Sequence, residues 1–143
     1  MKYSETTLRV RYKDTDQMGV VYYANYFIWF EVGRSEFFRS LGMSYKYLEQ
    51  NGILLPVIET YCSYKYPARY DELLKIVTRL HSLEVVKLGF QYEIMNVETE
   101  KLLARGETTH AFVNKQGKPV VLRKQNPFLW RLIKDKLQVK KEI

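Results

Sequence analysis

The sequence predicts an α+β fold: an antiparallel sheet of five or six strands curled around one long central helix, plus a short C-terminal helix. Two observations carry this expectation. Within the helical segment from Asn25 to Leu41, apolar residues cover nearly every side of the first two turns (Tyr26, Phe27, Ile28, Trp29, Phe30), so other elements must enclose it. Alternating segments of strand length make up much of the remaining chain, with no repeats and no low-complexity linkers. The sizes agree. The helix would measure roughly 25 Å, and strands of about ten residues would reach roughly 33 Å.

In chain order, residues 6–12 place Thr6, Leu8, Val10 and Tyr12 on one side and Thr7, Arg9 and Arg11 on the other, the pattern of a half-buried strand. A loop through Asp14, Thr15, Asp16 and Gly19 ends it. The long helix opens at Asn25 and stops at Gly42, a residue suited to a helix C-terminus. Gly33 weakens that helix relative to alanine and is expected where a neighbouring strand approaches closely. Ser44 caps a short second helix that runs to Asn51 and stops at Gly52.

Four strands follow, over residues 57–66, 73–83, 85–97 and 102–114. The first sets Ile58, Thr60, Cys62 and Tyr64 on one face, and the second points Leu74, Ile76 and Leu80 inward. The third alternates best, with Val86, Leu88, Phe90, Tyr92 and Ile94 against Lys87, Gln91 and Glu93. The turn Lys115-Gln116-Gly117-Lys118 closes the last. Residues 119–122 could add a short edge, and Pro127 suits the first position of a closing helix that runs to about Leu137.

Composition bounds the function. A chain of 143 residues fits a single domain, 1–143. It can bury enough surface to fold without a disulfide or a metal. At 46% hydrophobic and 27% charged residues it is globular rather than disordered. The single cysteine, Cys62, cannot form an internal disulfide and points to a reducing compartment. There is no leader-like start and no apolar run near the roughly 18 residues of a membrane span, so a cytoplasmic protein without a transmembrane segment is expected. The net charge of +7 suits nucleic acid, an anionic membrane surface or a substrate carrying phosphates. The basic residues are scattered, apart from Lys134, Lys136, Lys140 and Lys141, and no RNA-binding signature accompanies them. Nucleic acid is therefore not an expected partner.

The chemistry concentrates in residues 14–26, DTDQMGVVYYANY, where two carboxylates and a glycine precede the buried helix. A helix start offers free N–H groups and a positive dipole end. Together these stabilise an oxyanion while a carboxylate attacks or activates water. An enzyme acting on an acyl carbonyl is the expectation. An aspartate between strand and helix is also commonly a turn former, and Asp14 is assigned that role. Glu31 is a rival catalytic carboxylate, though an ion pair between Glu31 and Arg34 along the helix is the favoured reading. His81 and His110 are the only histidines and lack metal-ligand spacing, so no metal is expected. His110 shares a face with Thr108 and Phe112, which suggests a hydrogen-bonded structural role. No phosphate loop, serine elbow or nucleotide fingerprint is present.

The pattern RVRYKDTDQMGVVYYANYFIWFEVGR, followed by YPARYDELLKI, resembles the hotdog-fold acyl-CoA thioesterases of the 4-hydroxybenzoyl-CoA thioesterase type. Its closest look is to the bacterial branch associated with the Tol-Pal system. The likeness spans roughly residues 6–125. It implies a hotdog fold, a five-stranded antiparallel sheet wrapped around the long helix, in dimers that often assemble as tetramers. It implies that Asp16 is the catalytic nucleophile or base and that the backbone N–H of Tyr23 polarises the thioester carbonyl. Gly19 matches the turn glycine and Asn25 the asparagine opening the helix. With Val21 and Tyr22 they form the substrate-binding part of the motif. Many members of the branch carry His where Tyr23 stands. No such imidazole exists here, which leaves the aspartate-only mechanism of the wider family.

Arg69, in the turn with Pro67, Ala68 and Asp71, is a candidate for a coenzyme A phosphate, and a contact with Asp71 that pins the turn is equally plausible. Lys87, Lys118, Arg123 and Lys124 are further phosphate candidates. The expected reaction needs few groups. A thiolate, whose conjugate acid has a pKa near roughly 8.5, leaves with little or no general acid. The expected function is acyl-CoA hydrolysis by a homo-oligomer, with no cofactor beyond the coenzyme A of the substrate. The alternative is a non-catalytic module binding acyl-CoA or acyl carrier protein. A hydratase requires a His near the helix start, and none occurs before residue 81. Tyr22, Tyr26, Trp29, Tyr61 and Tyr64 could line an acyl pocket or pack the core.

Overall fold

Five strands and one long helix account for the architecture of residues 2–138, which the computed structural model describes. The elements are β1 (Tyr3–Arg9), α1 (Asn25–Ser40), α2 (Tyr45–Gln50), β2 (Val57–Tyr64), β3 (Leu73–Leu83), β4 (Lys87–Asn96), β5 (Leu102–Ala111), α3 (Leu122–Gln125) and α4 (Pro127–Lys134). The strands form one sheet in the order β1-β3-β4-β5-β2, every neighbouring pair antiparallel. The expected α+β architecture is present, with five strands. Residues 119–122 form no sixth strand: Pro119 makes only an isolated bridge to Val113 before α3 begins. Of the basic tail, Lys140 and Lys141 lie outside the described residues.

The first strand lies earlier than its alternation implies. Asp14 accepts the Arg11 N–H through Oδ2 at 2.8 Å, which curls residues 12–14 into a 3-10 turn and leaves Tyr12 79% exposed instead of inward. Local side chain-to-backbone bonding ended the ladder before the alternation did. The helical signals read as expected. The Ser44 side chain accepts from the Tyr47 N–H, Asn126 caps α4 behind Pro127, and Gly42 and Gly52 sit at positive φ.

The core lies between α1 and the concave face of the sheet. Leu74, Ile76 and Leu80 of β3, and Leu88, Phe90, Tyr92 and Ile94 of β4, are completely buried. Phe30 of α1 stacks on Tyr92 with centroids 4.4 Å apart and fills the space that a side chain at position 106 would need. Gly33 faces Thr78 and Ile76, and a Cβ there would collide with the Thr78 hydroxyl. The close helix–strand approach is thus what this glycine allows. The edge strand β2 is covered on neither face over its first half: Ile58 and Thr60 are exposed, as are Val57 and Tyr61, because α1 runs beside this strand without covering it.

The interior also holds a polar chain. Arg34, only 7% exposed, donates from Nε to the Tyr45 hydroxyl and from Nη1 to the Tyr92 hydroxyl, both at 3.2 Å. Tyr92 shares a 2.6 Å hydrogen bond with Thr108, whose Oγ1 lies 2.8 Å from His110 Nε2, and His110 Nδ1 lies 3.1 Å from the Leu55 carbonyl. The expected Glu31–Arg34 pair does not form. Arg34 turns inward to the two phenols, while Glu31 stays on the exposed side.

Burial, helped by the Arg34 charge, pushes the His110 imidazole down from 6.5 to about 4, against a raising contribution from the Leu55 carbonyl. Between these values the unfolded chain binds a proton that the folded chain refuses. The contribution of this histidine to stability is therefore full above pH 6.5 and is lost as pH drops toward 4. Denaturant midpoints at pH 7.5 and pH 5 should show this fall, and His110→Leu should flatten it.

Candidate active site

The loop between β1 and α1 is built by its own polar groups. The Asp14 carbonyl accepts the Tyr22 N–H at 2.9 Å and the Asn25 side-chain amide at 2.8 Å, while its buried carboxylate holds Arg11. Asp14 is thus the turn former it was read to be, and Asn25 ties the loop to the first residue of α1. Asp16 closes a tight turn. Its N–H donates to the Val20 carbonyl, its own carbonyl accepts from Gly19, and Oδ1 accepts the Met18 N–H at 2.8 Å. Gly19, at φ +77, supplies the left-handed residue this turn needs. Oδ1 therefore serves the turn, and Oδ2 has no partner among the described residues. Asp16 is half-buried.

The loop then docks onto the turn before β3. Val20 bridges Arg69, and the buried Val21 donates to the Ala68 carbonyl at 2.8 Å. The Tyr26 hydroxyl, in turn, accepts the Ala68 N–H. These contacts fix the start of α1, whose N-cap Ala24 provides no side-chain cap. Among the described residues, the N–H groups of Tyr23 and Ala24 have no acceptor. Their peptide planes are nonetheless fixed through the carbonyls on the opposite side. Tyr22 C=O accepts from Asn25 N–H, and Tyr23 C=O accepts from the Tyr64 hydroxyl, both at 2.9 Å. Because a trans peptide points its C=O and N–H in opposite directions, anchoring the carbonyls aims the two amides away from the helix.

A cavity of about 250 Å³ lies beside this helix start, lined by Val21, Tyr23, Tyr26, Tyr64, Lys65, Tyr66 and Pro67. It shares Tyr64, Lys65 and Tyr66 with a neighbouring recess that adds Lys101 and Leu102. Burial, with help from Cys62, pushes the Tyr64 phenol up, so it stays protonated and remains a donor to Tyr23. Lys101 sits over the Tyr66 ring at 4.8 Å.

The predicted site residues divide by position. Val21, Tyr22, Tyr23 and Asn25 lead directly into α1, Asp16 and Gly19 sit in the tight turn just before them, and Arg69 is beside that turn through its bridge to Val20. Of these residues Val21 and Tyr23 line the cavity, and Asp16 does not. Arg69 does not contact Asp71: Asp71 accepts from Arg9 through its carbonyl at 2.7 Å, and the Arg69 N–H bonds Glu72. Lys87 lies at the other end of the sheet. The register pairs Tyr64 with Ala104 but Lys87 with Ala111, a separation of roughly 23 Å along a strand, and Lys87 pairs with Glu84. Arg123 is exposed on α3, after the Phe112–Val120 pairing that marks this same far end. Within this chain, neither basic residue meets the helix start. Sequence reasoning missed Lys65, Tyr66 and Lys101. Only the β2–β5 register brings them to the cavity, and no local pattern announces it.

One helix held in the curve of a five-stranded antiparallel sheet, with this strand order, is the hotdog fold. The family model described as the thioesterase-like superfamily matches residues 10–134, and the chain belongs to that superfamily. YneP of Bacillus subtilis (strain 168), provisionally named an acyl-CoA thioesterase, is 38% identical over 128 residues, covering 89% of this chain and 92% of that one. The acyl-CoA thioester hydrolase YbgC of Escherichia coli O6:H1 is 36% identical over 95 residues, 66% of this chain and 71% of its own. Among solved structures, the DHNA-CoA thioesterase of Staphylococcus aureus superposes with a TM-score of 0.89 at 34% identity, covering 93% of this chain and 89% of that one. No helix among the described residues is long and apolar enough to cross a membrane.

Proposed function

We propose that this protein hydrolyses acyl-CoA thioesters to the free acid and coenzyme A, using Asp16 and the amides that open α1. The observation that supports it is the pair of unpartnered N–H groups on Tyr23 and Ala24, held in place one short turn after a half-buried carboxylate. The thioester carbonyl oxygen lies against these amides, which stabilise its charge as the tetrahedral intermediate forms. Asp16 Oδ2 either takes a proton from the attacking water or bonds to the carbonyl carbon itself, giving an anhydride that water then opens. In both routes the carbon–sulfur bond breaks, and the thiolate leaves with the electron pair and later takes the proton.

The motif around Asp16 favours the 4-hydroxybenzoyl-CoA thioesterase type and, within it, the Tol-Pal-associated branch. In this proposal Lys65 and Lys101, rather than Lys87 and Arg123, meet the coenzyme A phosphates, supported by their position in the recess next to the cavity, with Arg69 beside the preceding loop. The working form in this proposal is a homo-oligomer, a dimer that pairs into a tetramer. The uncovered edge strand β2, with Val57, Ile58 and Tyr61 exposed, offers a second copy both unpaired backbone and apolar surface. Light scattering across a dilution series tests it, and a monomer at every concentration would contradict it. Acyl carrier protein is a further carrier of the acyl group in this proposal.

The test of activity is thiol release from a panel of acyl-CoA thioesters incubated with the purified protein. Turnover of at least one member is expected. Binding of several members with hydrolysis of none would instead favour the acyl-CoA binding module. Tyr64→Phe, which leaves the Tyr23 carbonyl only its longer 3.4 Å bond from the Tyr26 N–H, should lower kcat several-fold with a smaller change in KM, because it loosens the Ala24 amide, which acts on the transition state. An unchanged kcat would remove Tyr64 from the oxyanion site.

A further inference from the structure

We infer that Arg34 selects the acyl group, binding a negatively charged or strongly accepting oxygen at the end remote from the thioester. This rests on the hydrolase reading above and concerns the other end of the same substrate.

Arg34 carries a charge that no neighbouring carboxylate offsets by direct contact. Arg34 is 7% exposed, yet its only partners among the described residues are the hydroxyls of Tyr45 and Tyr92. Both phenols are kept neutral by burial, and His110 beyond them is neutral at physiological pH. The buried cluster therefore carries one positive charge and no negative one. A guanidinium has five N–H donors, and only two are used here, so neither hydrogen of Nη2 meets an acceptor. Nη2 is not sealed in the core without a partner, as the Ser4 and Thr78 hydroxyls are, but reaches the surface, where an accepting group can meet it.

Geometry says what could pair with it. Arg34 lines a groove of about 240 Å³ between α1 and β2, together with Phe27, Ile28, Glu31, Val57, Thr60 and Thr108. Phe27 and Ile28 belong to the first turn of α1, Arg34 lies about two turns further along the same helix, and the groove shares no lining residue with the cavity beside Tyr23. Its walls are mostly apolar. From Tyr23 to Arg34 a helix rises roughly 16 Å. Helical side chains lean back toward the N-terminus, which brings the guanidinium closer to the thioester position by several ångströms. An acyl group lying in this groove has an apolar body against Phe27, Ile28 and Val57 and its far end at Arg34. Glu31 stands on the exposed side of the groove without contact to Arg34, and it disfavours an acidic group that stops short of the arginine. The two chemistries that fit are a hydroxyl on an aromatic ring and a carboxylate ending an aliphatic chain.

The test compares matched pairs of CoA thioesters: a fused-ring aromatic acyl group with and without a ring hydroxyl, and an octanoyl group with and without a terminal carboxylate. In the wild type, kcat/KM within at least one pair should favour the oxygen-bearing member by roughly ten- to a hundredfold. Which pair responds distinguishes the two sources. In Arg34→Met that ratio should fall close to one, and Arg34→Lys should keep part of it. Because the readout is a ratio within one protein, a general loss of stability does not imitate it. A wild-type ratio near one in both pairs overturns the proposal, and so does a full ratio in Arg34→Met. Should Arg34→Met fail to fold, the wild-type and Arg34→Lys ratios still decide. If no member of either pair is hydrolysed, the hydrolase reading falls, and the pairs are compared by Kd. Tighter binding of the oxygen-bearing member by tenfold or so then supports the role of Arg34, and equal binding overturns it.

Discussion

Asp16→Asn lowers kcat by roughly 100- to 10,000-fold and moves KM for the same acyl-CoA little. The amide oxygen of Asn can still accept the Met18 N–H, so the turn from Asp16 to Val20 and the position of α1 are kept. What is lost is the charge on the oxygen that has no partner, and with it both the ability to take a proton from water and the ability to attack the carbonyl carbon. The amides of Tyr23 and Ala24 are unaffected and still hold the thioester, so binding persists. Glu31→Gln is the matched control: Glu31 lies well along α1, in the groove with Arg34, and its loss should leave turnover within a few-fold. The reverse pattern, an inert Asp16→Asn with an inactive Glu31→Gln, would transfer the catalytic role to the helix carboxylate.

Phe30→Ala destabilises the fold by about 3–5 kcal/mol. Phe30 is completely buried, stacked on Tyr92 and seated over Gly106, so it joins α1 to two central strands at once. Neither neighbour can fill the space, since one is a rigid ring and the other has no side chain. At roughly 3–4 °C per kcal/mol for a chain of this size, the melting temperature should drop by about 10 °C or more. Gly106→Ala tests the same contact from the opposite side, because its Cβ would occupy the volume of the Phe30 ring, and should cost about 1–3 kcal/mol. A melting temperature unchanged by either variant would mean that α1 is not held by this stack.

The elements legible in the sequence are those fixed by local chemistry. The apolar run of α1, the alternation of β4, the Ser44 cap and the helix-ending glycines each depend on residues a few positions apart, and the structure keeps them all. Gly33 was legible as a close approach, although its partners Thr78 and Ile76 were not. What the sequence concealed depends on register between distant segments. The Arg9–Asp71 contact, the turning of Arg34 toward Tyr92 in place of Glu31, the arrival of Lys65 beside Tyr23 and that of Lys101 in the adjoining recess all follow from which strand lies next to which. Helical spacing allows Glu31 and Arg34 to meet, but a side chain three residues on can also turn to the other face, and two buried phenols outcompeted an exposed carboxylate. Lys87 misled for the same reason. A basic residue's value to a site depends on the end of the strand it occupies, and alternation does not report that.

The central claim is geometric: the thioester carbonyl sits on the amides of Tyr23 and Ala24, with the residue 16 side chain facing its carbon. A crystal structure of Asp16→Asn with a bound acyl-CoA measures this directly. The account predicts the carbonyl oxygen at about 3 Å from one or both amide nitrogens, with the acyl group running along α1 toward Arg34. A thioester bound elsewhere, with both amides turned to water or to another protein group, would contradict it.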